Sequence, residues 1–112
     1  MSASYAYNYA MAQQHRRELY LQQIRGNVTE RLQQYQQEVE ELQTRGILEH
    51  IKGAFQILQD RVDNMQILLG NKPEQAYQLG QGLLQELSSL RILGERAREE
   101  YLRHQAENLF QD

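Results

Sequence analysis

Residues 76–101 read AYQLGQGLLQELSSLRILGERAREEY, and this stretch decides the fold. Small or apolar side chains recur in it at alternating intervals of four and three residues, which amounts to a seven-residue repeat. Such a repeat keeps one stripe of an α-helix facing one partner helix along its length. The stripe consists of Ala76, Gly80, Leu83, Leu87, Leu90, Gly94, Ala97 and Tyr101.

Two members of this stripe are glycines that stand fourteen residues apart, Gly80 and Gly94. A glycine inside a helix costs about 0.8–1.0 kcal/mol relative to alanine, so two of them on a buried stripe need a packing reason. We expect either a close backbone approach or a bulky facing residue, with Tyr35 or Phe55 as the candidates; glycines that are merely tolerated there are the alternative.

A turn signal stands immediately before the stretch, at residues 70–74, which read GNKPE. Gly70 can adopt the left-handed conformation that ends a helix. Pro73 is the only proline of the chain and fits the first turn of a new helix. We therefore expect a tight reversal over residues 70–73, with the flanking helices lying antiparallel.

Further upstream, the same seven-residue spacing covers residues 28–46 and then resumes in a shifted register over residues 47–69. The one-residue slip at Gly46 and Ile47 either kinks one long helix or divides two. We favour a continuous, bent helix over residues 28–69, and a break near Gly46 is the alternative. The two stripes are Val28, Leu32, Tyr35, Val39, Leu42 and Gly46, followed by Ile47, Ile51, Ala54, Leu58, Val62, Met65 and Leu69.

The first helix is expected over about residues 4–25. Gly26 fits a helix end, and Asn27 with Glu30 resembles a capping box that starts the next helix. One uninterrupted helix through Gly26 is the alternative. With a last helix over about residues 73–107, the chain is predicted to be a single all-α domain, residues 1–112. Its form is an elongated antiparallel helical hairpin or bundle with coiled-coil-like heptads, built from three helices, or four if the chain breaks near Gly46.

The composition agrees with a helical protein. Gln contributes 18 residues and Leu 16, whereas the strand-favouring Val, Ile and Thr total only 11. The chain has no Cys, which excludes disulfides, thiolate zinc sites and cysteine nucleophiles. No apolar run approaches the roughly 20 residues that span a bilayer, so we expect no membrane partner. We expect a cytoplasmic location.

The sequence offers little for catalysis or metal binding. The three histidines are His15, His50 and His104, and none has a Glu three residues before it, as a di-iron bundle requires. Glu100 and His104 are four residues apart and could hold a metal together with Glu107, but a solvated helix face explains them better. We therefore expect a non-catalytic protein, with no catalytic residue, metal or cofactor.

The N-terminal stretch is the most unusual feature, because it carries Tyr5, Tyr7 and Tyr9 within five residues. Tyrosines on two sides of a terminal helix exceed what one core can cover, and tyrosine is favoured at interfaces. We expect residues 4–24 to meet another chain; a frayed terminus is the alternative. The predicted interface residues are Tyr5, Tyr7, Tyr9, Tyr20, Ile24, Val28, Leu32, Tyr35, Val39 and Leu42.

These features predict a protein–protein interaction module, such as a scaffold, chaperone or adaptor. We expect it to self-associate, with a homodimer favoured, or to bind a protein partner. An accessory subunit that binds nucleic acid through Arg16, Arg17, Arg25 and Arg31 is an alternative, although the net charge of −3 opposes it. A further alternative is a bundle that binds a small ligand or haem, with His50 or His104 as the axial ligand.

Overall fold

The computed structural model describes residues 3–110, and this part of the chain contains helices and no strand. It measures 94 × 17 × 16 Å along its principal axes. The prediction of an elongated all-α bundle is therefore confirmed. The helices are α1 (Ala3–Thr44), α2 (Lys52–Asn71), α3 (Pro73–Leu79) and α4 (Leu83–Leu109), with a short 3₁₀ helix at Leu48–His50 between α1 and α2.

α1 and α2 lie antiparallel. The Tyr35 hydroxyl on α1 donates a hydrogen bond to Oε1 of Gln59 on α2 at 3.0 Å. Ten residues earlier on α1, the guanidinium of Arg25 donates to the carbonyl oxygen of Gly70 at 3.1 Å. Contacts thus move backward along α1 as they move forward along α2, which defines a hairpin.

The chain reverses again between α2 and α3, as predicted for residues 70–73. α2 ends at Asn71 and Pro73 opens α3, where its missing N–H is not needed. α3 and α4 then run in the direction of α1, because Arg31 contacts Gly80 and Arg45 contacts Glu95. In the middle of the molecule, α1, α2 and the α3–α4 pair consequently pack together as a three-helix bundle.

The core lies where the three predicted stripes meet. Most positions of the stripes are buried or half-buried, and Ala54 and Tyr101 are exposed exceptions. Full burial of a Leu or Ile side chain stabilises the folded state by about 1.5–3 kcal/mol, so these contacts dominate the stability of the bundle. The large side chains that are almost completely buried are Val28, Leu42, Ile47, Met65, Leu83 and Leu87.

The expected continuous helix over residues 28–69 is wrong, because the chain turns near Gly46. α1 ends at Thr44, and Gly46 has φ +71°, a conformation that side-chain-bearing residues rarely adopt. The turn places both Ile47 and Ile51 in the interior. The shift of register in the sequence therefore marks the point where the apolar stripe passes from α1 to α2.

The expected helix end at residue 25 is also wrong, because Gly26 lies inside α1. Ile24 and Val28 flank it one turn apart and are both buried on the same face. Packing of these two side chains keeps the chain helical across Gly26. It outweighs the tendency of Asn27 to cap the start of a new helix. The alternative of one uninterrupted helix is the one the structure adopts.

The expected helix over residues 73–107 is interrupted at residues 80–82. Gly82 has φ +73° and separates the seven-residue α3 from α4. The stripe nevertheless continues through the interruption, since Ala76, Gly80, Leu83 and Leu87 are all buried. The three linking residues thus act like one turn of helix and keep the register of the repeat.

Candidate protein–protein interface

The N-terminal part of α1 projects beyond the bundle. The α2–α3 junction lies beside Arg17 and Arg25, because Arg17 is 4.0 Å from a carboxylate oxygen of Glu74 and Arg25 contacts Gly70. Residues 3–16 precede this junction, and every one of them is exposed. At 1.5 Å per residue they extend about 20 Å past the bundle. We name residues 3–16 the α1 extension.

The α1 extension carries a high density of exposed large side chains. Tyr5, Tyr7 and Tyr9 are 59%, 65% and 61% exposed, and Met11 is 47% exposed. The Nε2 amide of Gln13 donates a hydrogen bond to the Tyr9 hydroxyl at 3.0 Å, which orients that ring on the helix surface. Tyrosine provides a large contact area and a polar tip, and it is enriched where proteins meet.

One face of the extension continues the core stripe of α1. Positions seven residues apart keep nearly the same orientation in a helix that packs with a heptad repeat. Going from the bundle toward the N-terminus, burial along this series falls from buried to half-buried to exposed. The series is Leu42, Tyr35 and Val28 (buried), Leu21 (half-buried), and Gln14 and Tyr7 (exposed).

Tyr9 and Ala12 lie on the opposite face of the extension from Tyr7, because each residue turns the helix by about 100°. The segment 3–14 contains no charged residue, and the first charges on α1 are Arg16 and Arg17. Residues 3–14 of the extension therefore form an uncharged helical segment with aromatic residues on two opposite faces. Both faces are open to solvent.

The ten residues predicted as an interface fall into two groups. Only the four tyrosines nearest the N-terminus are exposed, and Tyr20 among them is 50% exposed. The chain's own helices cover the other six, so in this structure they form core and are not available to a partner without unfolding of the bundle. Buried are Ile24, Val28, Tyr35 and Leu42, and half-buried against the core are Leu32 and Val39.

Two exposed residues belong to the same surface but were not among the predicted ten. Met11 is one turn from Tyr7, and Leu19 is 52% exposed beside Tyr20. The sequence indicated Met11 by its spacing of four residues from Tyr7, and Leu19 by its place next to Tyr20. At the opposite end of the rod, Leu102 and Leu109 on α4 are also exposed.

Tyr35 is the one predicted interface residue with a polar role in the core. Its hydroxyl donates to Gln59, whose Nε2 amide donates to a carboxylate oxygen of Asp63 at 3.0 Å. Its ring stacks on Phe55 with the ring centroids 6.5 Å apart. Burial, with a smaller effect of the Asp63 charge that Arg61 opposes, raises the pKa of Tyr35 to about 12.

The histidines considered as metal or haem ligands lie apart from each other. The His50 ring packs against the Tyr101 ring, with centroids 5.5 Å apart. His104 is largely exposed, with Nδ1 4.0 Å from a carboxylate oxygen of Glu107. Among residues 3–110, no three His, Asp or Glu side chains converge in an arrangement that could hold a metal ion.

Three of the four arginines considered for nucleic-acid binding contact their own chain. Arg17 pairs with Glu74, and Arg25 donates to the Gly70 carbonyl. Arg31 is half-buried, donates to the carbonyl oxygen of Gly80 at 2.9 Å, and lies 5.4 Å from the centroid of the Tyr77 ring. Arg25 and Arg31 therefore tie α1 to the rest of the bundle through hydrogen bonds, whereas the exposed Arg17–Glu74 pair contributes little.

Comparison with known proteins gives no match to a protein-family model, to a curated protein or to a solved structure. Across residues 3–110, no helix has both the length and the apolar character needed to cross a bilayer.

Proposed function

We propose that this protein is a non-catalytic protein–protein interaction module that docks through its α1 extension. The observation that carries the proposal is the cluster of exposed aromatic side chains, on two faces of a helix that projects about 20 Å beyond its own bundle. A scaffold, chaperone or adaptor would use such a surface. A cytoplasmic location is part of the same proposal.

The position of the surface supports this function. The bundle buries its own stripes through residues 21–97, so the fold does not need the extension for its core. An exposed helix has to be ordered at a cost in conformational entropy, and aromatic side chains on it add apolar area in contact with water. Both costs are offset when a partner covers the helix.

The proposal is tested by affinity capture with the full-length chain and a variant that replaces Tyr5, Tyr7 and Tyr9 by Ser. The three side chains are exposed, so the variant should keep the helical content and the melting temperature of the wild type within a few degrees. We expect it to lose the partner that the wild-type chain retains.

The matched control replaces two exposed isoleucines on α2, Ile57 and Ile67, by Gln. These residues are 71% and 76% exposed and lie on the bundle, away from the extension. The control variant should retain the partner. Equal recovery by the wild type and the tyrosine variant would overturn the proposal and would move the working surface to the bundle.

A truncation is a second test, and the structure decides where to cut. Removal of residues 1–16 leaves Arg17 beside Glu74 and leaves Ile24 in the core. A cut after residue 25 would remove buried Ile24 and would confuse loss of binding with loss of fold. The variant without residues 1–16 should have the same melting temperature as the wild type and should lose the partner.

A further inference from the structure

We infer that residues 80–82 are a hinge between α3 and α4, and that Arg31 on α1 is the latch that holds this hinge out of the helical conformation. Without the latch, α3 and α4 join into one continuous helix. Arg31 is a positioning residue in this device, since it acts through the backbone of the hinge. The inference concerns a conformational change within the fold and does not depend on the proposed function.

The backbone of the hinge differs from an α-helix chiefly at one residue. Gly82 has φ +73°, where glycine is unstrained and residues with a side chain are strained. Gly80 stays close to the helical region, with φ −83° and ψ −1°. Its carbonyl oxygen accepts a hydrogen bond from the Leu83 N–H at 3.2 Å, whereas in a continuous α-helix it would pair with the Leu84 N–H. A backbone rotation centred on Gly82 therefore separates the two states.

The apolar repeat is compatible with both states. The repeat runs through the hinge at intervals of four, three and four residues, and a continuous helix would place its members on one face. Burial of these side chains thus gives little preference for a break over a helix. The break must be favoured by a contact that depends on it. The members of the repeat here are Ala76, Gly80, Leu83 and Leu87, all of which are buried.

Arg31 makes such a contact. Its Nη1 donates to the Gly80 carbonyl oxygen at 2.9 Å, and its guanidinium carbon lies 5.4 Å from the centroid of the Tyr77 ring. Because α3 ends at Leu79, the Gly80 carbonyl stands at an open helix end, where a cationic donor is favoured. In a continuous helix the Leu84 N–H would compete for the same oxygen. Arg31 therefore stabilises the state in which α3 stops before the hinge.

The hinge also sets how α3 meets α1. Glu74 near the start of α3 lies 4.0 Å from Arg17, at the base of the α1 extension. A change of backbone at Gly82 turns α3 relative to α4 and so repositions Glu74 against α1. The latch thus fixes the orientation of α3 beside the helix that carries the α1 extension.

The test introduces Gly82→Ala into the wild type, into Arg31→Met and into Arg25→Met. Met keeps an unbranched stem and a similar helix propensity but cannot donate a hydrogen bond. In the wild type, Ala at φ +73° is strained, so the melting temperature should fall by roughly 4 °C or more. In Arg31→Met the hinge is free to become helical, where Ala is favoured over Gly, so the same substitution should raise the melting temperature.

Arg25→Met is the matched control. Arg25 also donates from α1 to a glycine carbonyl, that of Gly70 at 3.1 Å, ten residues before the hinge. In this background Gly82→Ala should lower the melting temperature as much as in the wild type. A milder variant, Tyr77→Leu, removes the ring beside the guanidinium and keeps Arg31. It should lessen the loss caused by Gly82→Ala, and it decides the matter if Arg31→Met does not fold.

Backbone NMR reports the conformation of the hinge directly. In the wild type the Cα chemical shifts of residues 80–82 should be those of a turn. In the double variant Arg31→Met, Gly82→Ala they should become helical. The Leu84 amide should then exchange with solvent at least tenfold more slowly than in the wild type, because the Gly80 carbonyl accepts its hydrogen bond. Circular dichroism of the same samples shows that each variant is folded.

An equal loss of melting temperature in all backgrounds, Tyr77→Leu included, would overturn the inference, because Arg31 would then be an ordinary stabilising contact. A gain from Gly82→Ala in the wild type would overturn it as well, since the hinge would need no latch to stay out of a helix. A folded double variant whose hinge keeps the chemical shifts of a turn would also rule it out.

Discussion

Gly94 on α4 lies directly against Ile47 in the turn between α1 and α2. A β-carbon built at Gly94 would come within 2.5 Å of Cγ2 of Ile47 and within 3.2 Å of Cγ2 of Ile51. Both isoleucines are β-branched and buried, so neither side chain can rotate freely away. The glycine is what allows α4 to close over the turn.

Replacement of Gly94 by Ala should therefore destabilise the protein. Overpacking of this kind destabilises the folded state by about 1–3 kcal/mol, and the better helix propensity of alanine offsets up to about 1 kcal/mol of this. We expect a net loss of about 1–2 kcal/mol and a melting temperature lower by roughly 4–10 °C. Thermal unfolding followed by circular dichroism measures it.

Gly80 gives a matched comparison. A β-carbon there would lie 2.5 Å from Cε of Met65, which is the terminal atom of a flexible side chain and can move. Gly80→Ala should therefore cost less than Gly94→Ala. Equal melting temperatures for the two variants would show that the rigidity of Ile47 is not what makes the Gly94 contact tight.

Gly26→Ala should stabilise the protein. Gly26 lies inside α1, and nothing lies within 4 Å of the position where its β-carbon would stand. Alanine in an exposed helix interior is favoured over glycine by about 0.8–1.0 kcal/mol. Urea unfolding should show a higher midpoint with an unchanged slope. A lower midpoint would mean that α1 ends at residue 26, as a capping signal at Asn27 predicts.

Alkaline pH should weaken the fold through Tyr35. Its pKa is about 12 in the folded state, above the ordinary value of 10 that the unfolded chain has. The stabilisation is complete below pH 10 and is lost as the pH rises toward 12, because the unfolded state releases the proton first. Between pH 9 and pH 11.5 the free energy of unfolding should fall by roughly 2 kcal/mol from this residue.

The measurement is urea unfolding of the wild type, Tyr35→Phe and Tyr7→Phe at both pH values. Tyr35→Phe should lose most of this pH dependence, since it has no hydroxyl to ionise. Tyr7→Phe removes an exposed hydroxyl and should behave as the wild type does. An identical alkaline slope in all three proteins would argue against an effect of Tyr35.

Arg31 should contribute more to stability than Arg25. Arg31 is half-buried and combines a hydrogen bond to the Gly80 carbonyl with a position over the Tyr77 ring. Its replacement by Ala should cost about 1–2 kcal/mol. Arg25→Ala removes a more exposed hydrogen bond to Gly70 and should cost less than about 1 kcal/mol. A reversed order in urea unfolding would contradict this ranking.

The seven-residue repeat predicted most of the packing because it records which face of each helix is buried. Leu83, Leu87 and Met65 occupy the interior as their spacing indicates. The turn before Pro73 was equally clear, since proline cannot continue a helix without losing a backbone hydrogen bond. The repeat and the proline turn are set by residues close together in the sequence, and the packing of the bundle favours the same local structure.

The helix ends at glycine were harder to predict, because a glycine fits both a helix interior and a turn. Gly26 stays helical because Ile24 and Val28 are buried on both sides of it. Gly46 adopts a positive φ because the buried contacts of Ile47 and Ile51 with the rest of the core require the chain to turn there. The difference depends on contacts between distant segments. Gly82 was missed because the apolar repeat continues across it without a gap.

The candidate site was predictable only in part. The tyrosine cluster at residues 5–9 stands out in composition and is exposed. The core stripe of α1 has the same spacing as a surface stripe, so the sequence could not separate Val28 from Tyr7. Only the position of the α2–α3 junction, set by tertiary packing, shows where the covered part of the stripe ends.

The two opposite aromatic faces of the α1 extension have a consequence for valency. Tyr7 lies on one face and Tyr9 on the other, so a single partner helix would cover only one of them. A partner that carries two tethered docking motifs could engage both faces at once, and the second contact would form at a high effective concentration. Engagement of both faces would thereby hold such a partner more tightly than either face alone, with the bundle kept to one side of the contact.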